Sequence, residues 1–200
     1  MKKLLSILLI IIVMCVSFAG CASTTPTVKE SESSNQNENQ MDGVFRYANW
    51  GDSVETIEKK ETNVADLKDN RGLLYKNVKL LTHNANAVYF FNNNGFKSGM
   101  YSIENTHTNE NLYIDDFNSI NKVLTQKYGE PTVNTVNWIR DVLKDDPGLA
   151  LYYGDVEYVS IWELENLTVG HNLSCDNFEI SHNIFYTNPD ITVETDTSGL

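Results

Sequence analysis

Cysteine, proline and basic residues are scarce in this chain, and each scarcity excludes something. Of 200 residues three are cysteine and four proline, and 15 Lys and Arg stand against 27 Asp and Glu, a formal net charge of −12. Cys15 and Cys21 lie near the N-terminus, so Cys175 has no partner in the body of the chain. An intradomain disulfide is thereby excluded, and stability has to come from packing. The acidic balance disfavours nucleic acid and anionic lipid surfaces as partners, and leaves a cationic peptide or a divalent cation open. Its plainest consequence is solubility. Familiar catalytic signatures are missing too: there is no G-x-S-x-G elbow, no H-E-x-x-H, no phosphate-cradling G-x-x-x-x-G-K-[ST] and no dinucleotide fingerprint. No serine or aspartate is marked as activated, so the residues give no enzyme and no cofactor.

One apolar run is present, at the start. Lys2 and Lys3 precede LLSILLIIIVMCVSF, which falls short of the ~20 apolar residues a spanning helix needs. Charge followed by a short apolar stretch is the layout of a secretory signal. The run ends in Phe18, Ala19, Gly20 and Cys21. That order resembles the lipobox of bacterial lipoproteins, with Phe18 where leucine is usual. The resemblance implies that residues 1–20 are a lipoprotein signal peptide, that Cys21 carries a diacylglyceryl group, and that the chain is lipid-anchored at the outer face of the cell membrane. A secreted protein with a cysteine near its cleavage site is the alternative. Two acyl chains hold where one binds marginally, since each buried methylene contributes ~0.8 kcal/mol. Loss of Lys2 and Lys3 would leave 13 basic against 27 acidic side chains, near −14, so attachment would rest on the lipid.

Residues 21–43 are rich in Ser, Thr, Asn, Gln and Glu, a composition with too little to bury to offset the entropy of ordering. It predicts a disordered tether with a root-mean-square span of roughly 25 Å. Residues 44–189 have the length of one domain, and 190–200 read as a flexible acidic tail.

Within that domain the fold class is α+β. WGDSVETIEKKE puts Asp52 and Glu55 at capping-box spacing before a short helix. LLYKNVKLLT and AVYFFNNNGFKSGMYSI then read as three strands, the last two joined by a turn at Asn94 and Gly95. IDDFNSINKVLTQKYGEP predicts a second helix, with Asp115 as N-cap, an apolar stripe of Phe117, Ile120, Val123, Leu124 and Tyr128, and a stop at Gly129 before Pro131. An irregular stretch with Trp138 and a DDPG turn follows. VEYVSIWELEN, LTVGHNLSC and FEISHNIFYTN supply three more strands. The expectation is an antiparallel sheet of about six strands, built from two helix-plus-three-strand halves, with helices on one face.

The last hairpin carries the sharpest chemical expectation. Leu167, Val169, His171, Leu173 and Cys175 alternate with polar residues, and Phe178, Ile180, His182, Ile184 and Tyr186 form the matching apolar side. A turn at Asp176 and Asn177 would set Cys175 opposite Phe178 and His171 opposite His182. Such an imidazole pair suits zinc or copper, but Cys175 lies roughly 13 Å along the strand, beyond a shared ion. No metal is assigned; His171 and His182 are the candidates for one, against two packed core histidines. The pairs Asp115 with Asp116, Asp145 with Asp146, and Glu163 with Glu165 are candidate calcium or acid–base carboxylates, against a cap, a turn and a solvated strand. Tyr89, Phe90 and Phe91 in succession point to both faces of their strand, which makes them candidate binding residues on a sheet face the helices leave uncovered.

FRYANWGDS before a helix, and KYGEP before Trp138, resemble uncharacterised lipoproteins of Gram-positive bacteria. The helix-and-sheet repeat is similar in outline to the β-lactamase inhibitor protein family and to small lipoproteins of outer-membrane assembly. These resemblances imply a binding module rather than an enzyme. The expected function is therefore a membrane-anchored extracytoplasmic lipoprotein acting as a binding or protein-interaction module at the cell surface. A small-ligand or metal-binding lipoprotein is the alternative.

Overall fold

A computed structural model gives the fold and describes residues 41–69 and 72–190. The expected signal peptide, the expected lipidation site Cys21, most of the expected tether and nearly all of the expected acidic tail lie outside the described residues. No helix among the described residues is long and apolar enough to cross a membrane.

The chain enters through a tight turn, in which Phe45 and Ala48 bridge, and Phe45 drops into the core. Helix α1, Val54–Lys60, follows. Its cap is Ser53, whose side chain accepts from the Thr56 N–H at 3.3 Å, and not Asp52, which instead accepts from the Asn49 N–H. Ile57 is its buried contact. Four antiparallel strands succeed it: β1 Leu67–Lys68, β2 Gly72–Leu80, β3 His83–Asn92 and β4 Gly95–Ile103. At the β3–β4 turn Asn92 pairs with Gly95, so the connecting residues are Asn93 and Asn94, one earlier than the sequence suggests. Only Gly95 takes positive φ, at 100°.

Helix α2 spans Asn111–Tyr128. It begins a turn before the expected cap, with Glu110 at the N-cap and no side-chain capping bond, so Asp115 and Asp116 lie inside the helix. Phe117, Ile120 and Leu124 are buried and Gly129 ends the helix at φ 85°, while Val123 stays exposed. Strand β5, Val133–Trp138, occupies the stretch expected to be irregular. The DDPG stretch opens a short helix α3, Pro147–Tyr152, capped by the Asp146 side chain on the Leu149 N–H at 3.2 Å. Strands β6 Val156–Leu164, β7 Leu167–Asp176 and β8 Glu179–Thr187 complete the domain.

The sheet has eight strands, not six, in the order β1-β2-β3-β4-β8-β7-β6-β5, with every neighbour antiparallel. The two unexpected strands are the two edges. Strand β1 is exposed at both positions, and β5 has no buried residue. An edge strand on a solvated flank has no apolar alternation to announce it.

The helices pack on one face. There Ile57, Tyr89, Phe96, Tyr101, Ile120, Leu124, Trp162, Ile184 and Tyr186 join one cluster around Phe45. Phe117, Ala150, Leu151, Val156, Tyr158 and Leu173 make a second. Inside the first, Glu61 accepts two bonds from the Arg46 guanidinium, at 2.7 and 2.8 Å, and one from the Tyr89 hydroxyl. This buried, bidentate pair is satisfied on both sides, which removing either partner would undo.

Candidate functional site

Alternation in a strand sends every second side chain to the opposite face, and among the described residues no helix lies on that face. Following the register outward from β1, the residues standing side by side are Leu67, Leu74, Val88, Met100, Phe185, Gly170, Ile161 and Val133. They form one row, apolar at every position and one residue wide, across all eight strands. At a strand spacing of ~4.8 Å its length is roughly 34 Å. Leu67, Phe185 and Val133 are exposed, and the other five are half-buried. The row beside it is polar, running Asn86, Ser102, Asn183, Asn172 before ending at Val159 and Thr135. Asn172 Oδ1 is buried without a hydrogen-bond partner.

Charge on this face is one-sided across strands β5–β8. In its β5–β8 half the ionisable residues are Glu157, Glu163, Asp176 and Glu179, all acidic. Among the described residues, the ion pairs join other side chains and none of these four. Their field is therefore uncompensated and favours an approaching cation.

On the covered face the histidines gather. The β7–β8 turn lies one residue later than expected, because Asn177 and Phe178 take the positive φ values, 51° and 67°, that a two-residue turn demands. The Phe178 ring rests against Tyr152 and Tyr153, with centroids 5.3 and 6.0 Å away, and is exposed rather than on the apolar side. The register moves by two: Cys175 faces Ile180, His171 faces Ile184 and His182 faces Leu173. The direct pairing of His171 with His182 is thus corrected to a diagonal one. Even so the imidazoles meet, Nε2 to Nε2 at 2.9 Å, so one ring donates and the other accepts.

His171 also contacts Asn121 Oδ1 through Nδ1 at 3.1 Å and stacks on Phe117 at 4.1 Å. His182 is 3% exposed, and its Nδ1 has no partner. Burial pulls His171 down to about 2, with the neighbouring His182 adding to it. Burial likewise lowers His182 to about 4, opposed by Asp116 and reinforced by His83 and His107. Both imidazoles are neutral at neutral pH. Asp116 accepts from Asn105 and meets His107 Nε2, each at 2.7 Å, and His83 Nδ1 contacts Asn105 at 2.6 Å. So all four histidines of the chain lie near one another beneath α2. Among the described residues, no three His, Cys, Asp or Glu side chains are grouped so as to hold a metal ion.

The comparisons with known proteins are silent. No family model, no curated protein and no solved structure matches this chain.

The remaining candidates separate. Tyr89 is fully buried, Phe91 packs against the core at Phe96, and Phe90 alone stands on the open face. Cys175 gives its thiol to the Tyr152 carbonyl at 3.1 Å, and burial raises its pKa, so it is no activated nucleophile. Asp146 is a helix cap, Asp115 and Asp145 are exposed, and Glu163 and Glu165 do not converge on a partner. An apolar cavity of about 230 Å³ lies under the entry turn, between Val44, Leu80, Leu81, Val123, Leu124 and Tyr186.

The open-face row and the His83–His107–Asp116 group escaped notice in the sequence. One signal was available for the first: VEYVSIWEL carries apolar residues at both parities, Val159 and Ile161 as well as Tyr158 and Trp162, where a strand with one solvated face should alternate. No local pattern announces the second, since its members come from β3, the loop after β4 and α2.

Proposed function

We propose that this chain is a membrane-anchored extracytoplasmic lipoprotein, held through Cys21, that binds another protein with the uncovered face of its sheet. The observation that carries the reading is the apolar row spanning eight strands on a face no helix covers. A row of that length rimmed by polar residues is the anatomy of an interaction surface. The tether keeps the domain near the membrane, and the acidic charge keeps it from lying on anionic headgroups.

A second reading, a small-ligand lipoprotein, is favoured by the apolar cavity beside α2. The two differ in which side of the sheet meets the partner. A photo-reactive residue placed at Ile161 or Phe185 on intact cells is expected to give a discrete protein adduct, and one at Val123, on the cavity rim, none. Adducts from Val123 alone would overturn the reading.

A further inference from the structure

The two edges of the sheet differ in how they are guarded. An edge strand presents unpaired N–H and C=O groups, and folded chains protect such edges with brevity, charge, proline or a bulge. Strand β1 is guarded twice: it is two residues long, and one of them, Lys68, pairs with Glu58 at 2.8 Å. Strand β5 has none of these guards. It runs six residues, VNTVNW, without a charge or a proline, and its register with β6 is unbroken. Among the described residues no strand pairs with its outer side, and four of its six residues are exposed.

The ladder fixes which groups face outward. The Ile139 N–H donates to the Asp155 carbonyl at 2.8 Å, so by alternation Val133, Thr135 and Asn137 bond to β6, and the N–H and C=O of Asn134, Val136 and Trp138 point away from the sheet. The side-chain oxygens of the two asparagines are turned elsewhere: Asn134 Oδ1 accepts from Ser160 Oγ at 3.0 Å and Asn137 Oδ1 from Thr135 Oγ1 at 3.1 Å. A row of free backbone groups takes one kind of occupant, another extended strand.

The edge fits its own copy. Outward groups have to meet outward groups, so the antiparallel self-pairings lie two residues apart in register. With Val136 opposite Val136 of the second copy, Val133 meets Ile139 and Thr135 meets Asn137, apolar on apolar and polar on polar on the open side, while Asn134 meets Trp138 on the other. Val133, Val136 and Ile139 are 39%, 45% and 61% exposed, and this register covers all three. The neighbouring registers set Val133 against Asn137 or Ile139 against Thr135. No charged residue lies between Pro131 and Ile139, so like charges do not meet across the pairing although both copies are acidic.

We propose that β5 pairs antiparallel with β5 of a second copy of this chain, about a twofold axis at Val136, joining the two sheets into one with both open faces on the same side. The pairs at Asn134, Val136 and Trp138 exchange two bonds each, about six in all. An edge pairing of this length is small for an interface, so the dimer is a weak, concentration-dependent one. It uses the edge of the sheet and not the open face, so either reading can fail without the other.

Cysteines placed in the full chain test axis and register together, with mild oxidation trapping neighbours and disulfide dimer measured against the unsubstituted chain. Opposed residues sit ~4.5–5.5 Å apart at Cα, within disulfide reach, whereas Val133 lies about 20 Å along the strand from its own copy. Val136→Cys is expected to give several-fold more dimer than the unsubstituted chain. Val133→Cys alone and Ile139→Cys alone should give no excess, while an equal mixture of the two should. Adding Val136→Lys to both members of that mixture sets like charges face to face at an exposed position, and should abolish the mixed dimer while the thermal midpoint stays the same. No excess dimer from Val136→Cys, equal dimer from Val133→Cys alone, or a mixed dimer that survives Val136→Lys would overturn the pairing. So would Val136→Cys joined, on intact cells, to a different polypeptide and not to its own copy.

Discussion

The two faces of this sheet are made from the same strands, and they solve different problems. On the helix side Ile184 is 1% exposed and packed into the main cluster, whereas its neighbour Phe185, one residue on and facing the other way, is 38% exposed. The covered face holds interlocked rings, a buried ion pair and a histidine cluster, each group satisfied or nearly so. The open face holds an apolar row, unpaired carboxylates and Gly170, where an added Cβ would meet only Phe185 Cβ at 4.0 Å. Residues that stability explains lie on one side; residues it leaves unexplained lie on the other.

Breaking the covered face should cost most. Phe45, buried among Tyr89, Phe96, Tyr101 and Tyr186, is expected to lose about 3–5 kcal/mol on truncation to alanine, as aromatic core deletions do. Urea unfolding measures it. A loss below 1 kcal/mol would mean that the ring cluster is not the core.

The histidine pair should come next. His182 titrates at about 4 in the fold against 6.5 when free, and His171 lower still. Their folded values are depressed, so the pair's contribution is complete above about pH 6.5 and is lost as the pH falls, because the unfolded chain takes up protons the folded pair refuses. At ~1.4 kcal/mol per unit, His182 alone accounts for about 3 kcal/mol between pH 6.5 and 4. Denaturant midpoints at pH 7.5, 5.5 and 4.5 should decline in that order, and a flat series would contradict the buried neutral pair.

On the open face the same kinds of change should hardly register. Phe185→Ala is expected to cost less than about 1 kcal/mol, as partly exposed positions away from the core do. A loss as large as that of Phe45→Ala would show that something packs on this face. Gly170→Ala should be the smallest effect and opposite in sign, a gain of roughly 0.5–1 kcal/mol, since alanine fits and narrows the unfolded ensemble. A loss there would mean that the backbone needs glycine after all.

How far this contrast could be read in advance follows from the same physics. The six inner strands were legible because half-buried strands alternate, as TVGHNLSC does. Strands β1 and β5 were not, because they are edges with little to bury. The histidine pair was legible in kind but not in register. Choosing Asn177 and Phe178 over Asp176 and Asn177 is a turn preference decided by the rings of Tyr152 and Tyr153, which come from another part of the chain. Asp116 looked like part of a helix cap until α2 was seen to begin at Asn111 and turn it inward. The row on the open face depends on register across eight strands, information no single strand contains.

The most direct test of a covered open face is radical footprinting of methionine, since oxidation follows exposure. Met100 stands in the row, and Met41, 49% exposed on the entry segment, lies with Ile184 and Tyr186 at the cavity on the covered side. Met100 should oxidise several-fold more slowly on intact cells than in the purified chain, with Met41 reacting alike in both. Equal oxidation of Met100 in the two settings would contradict the account.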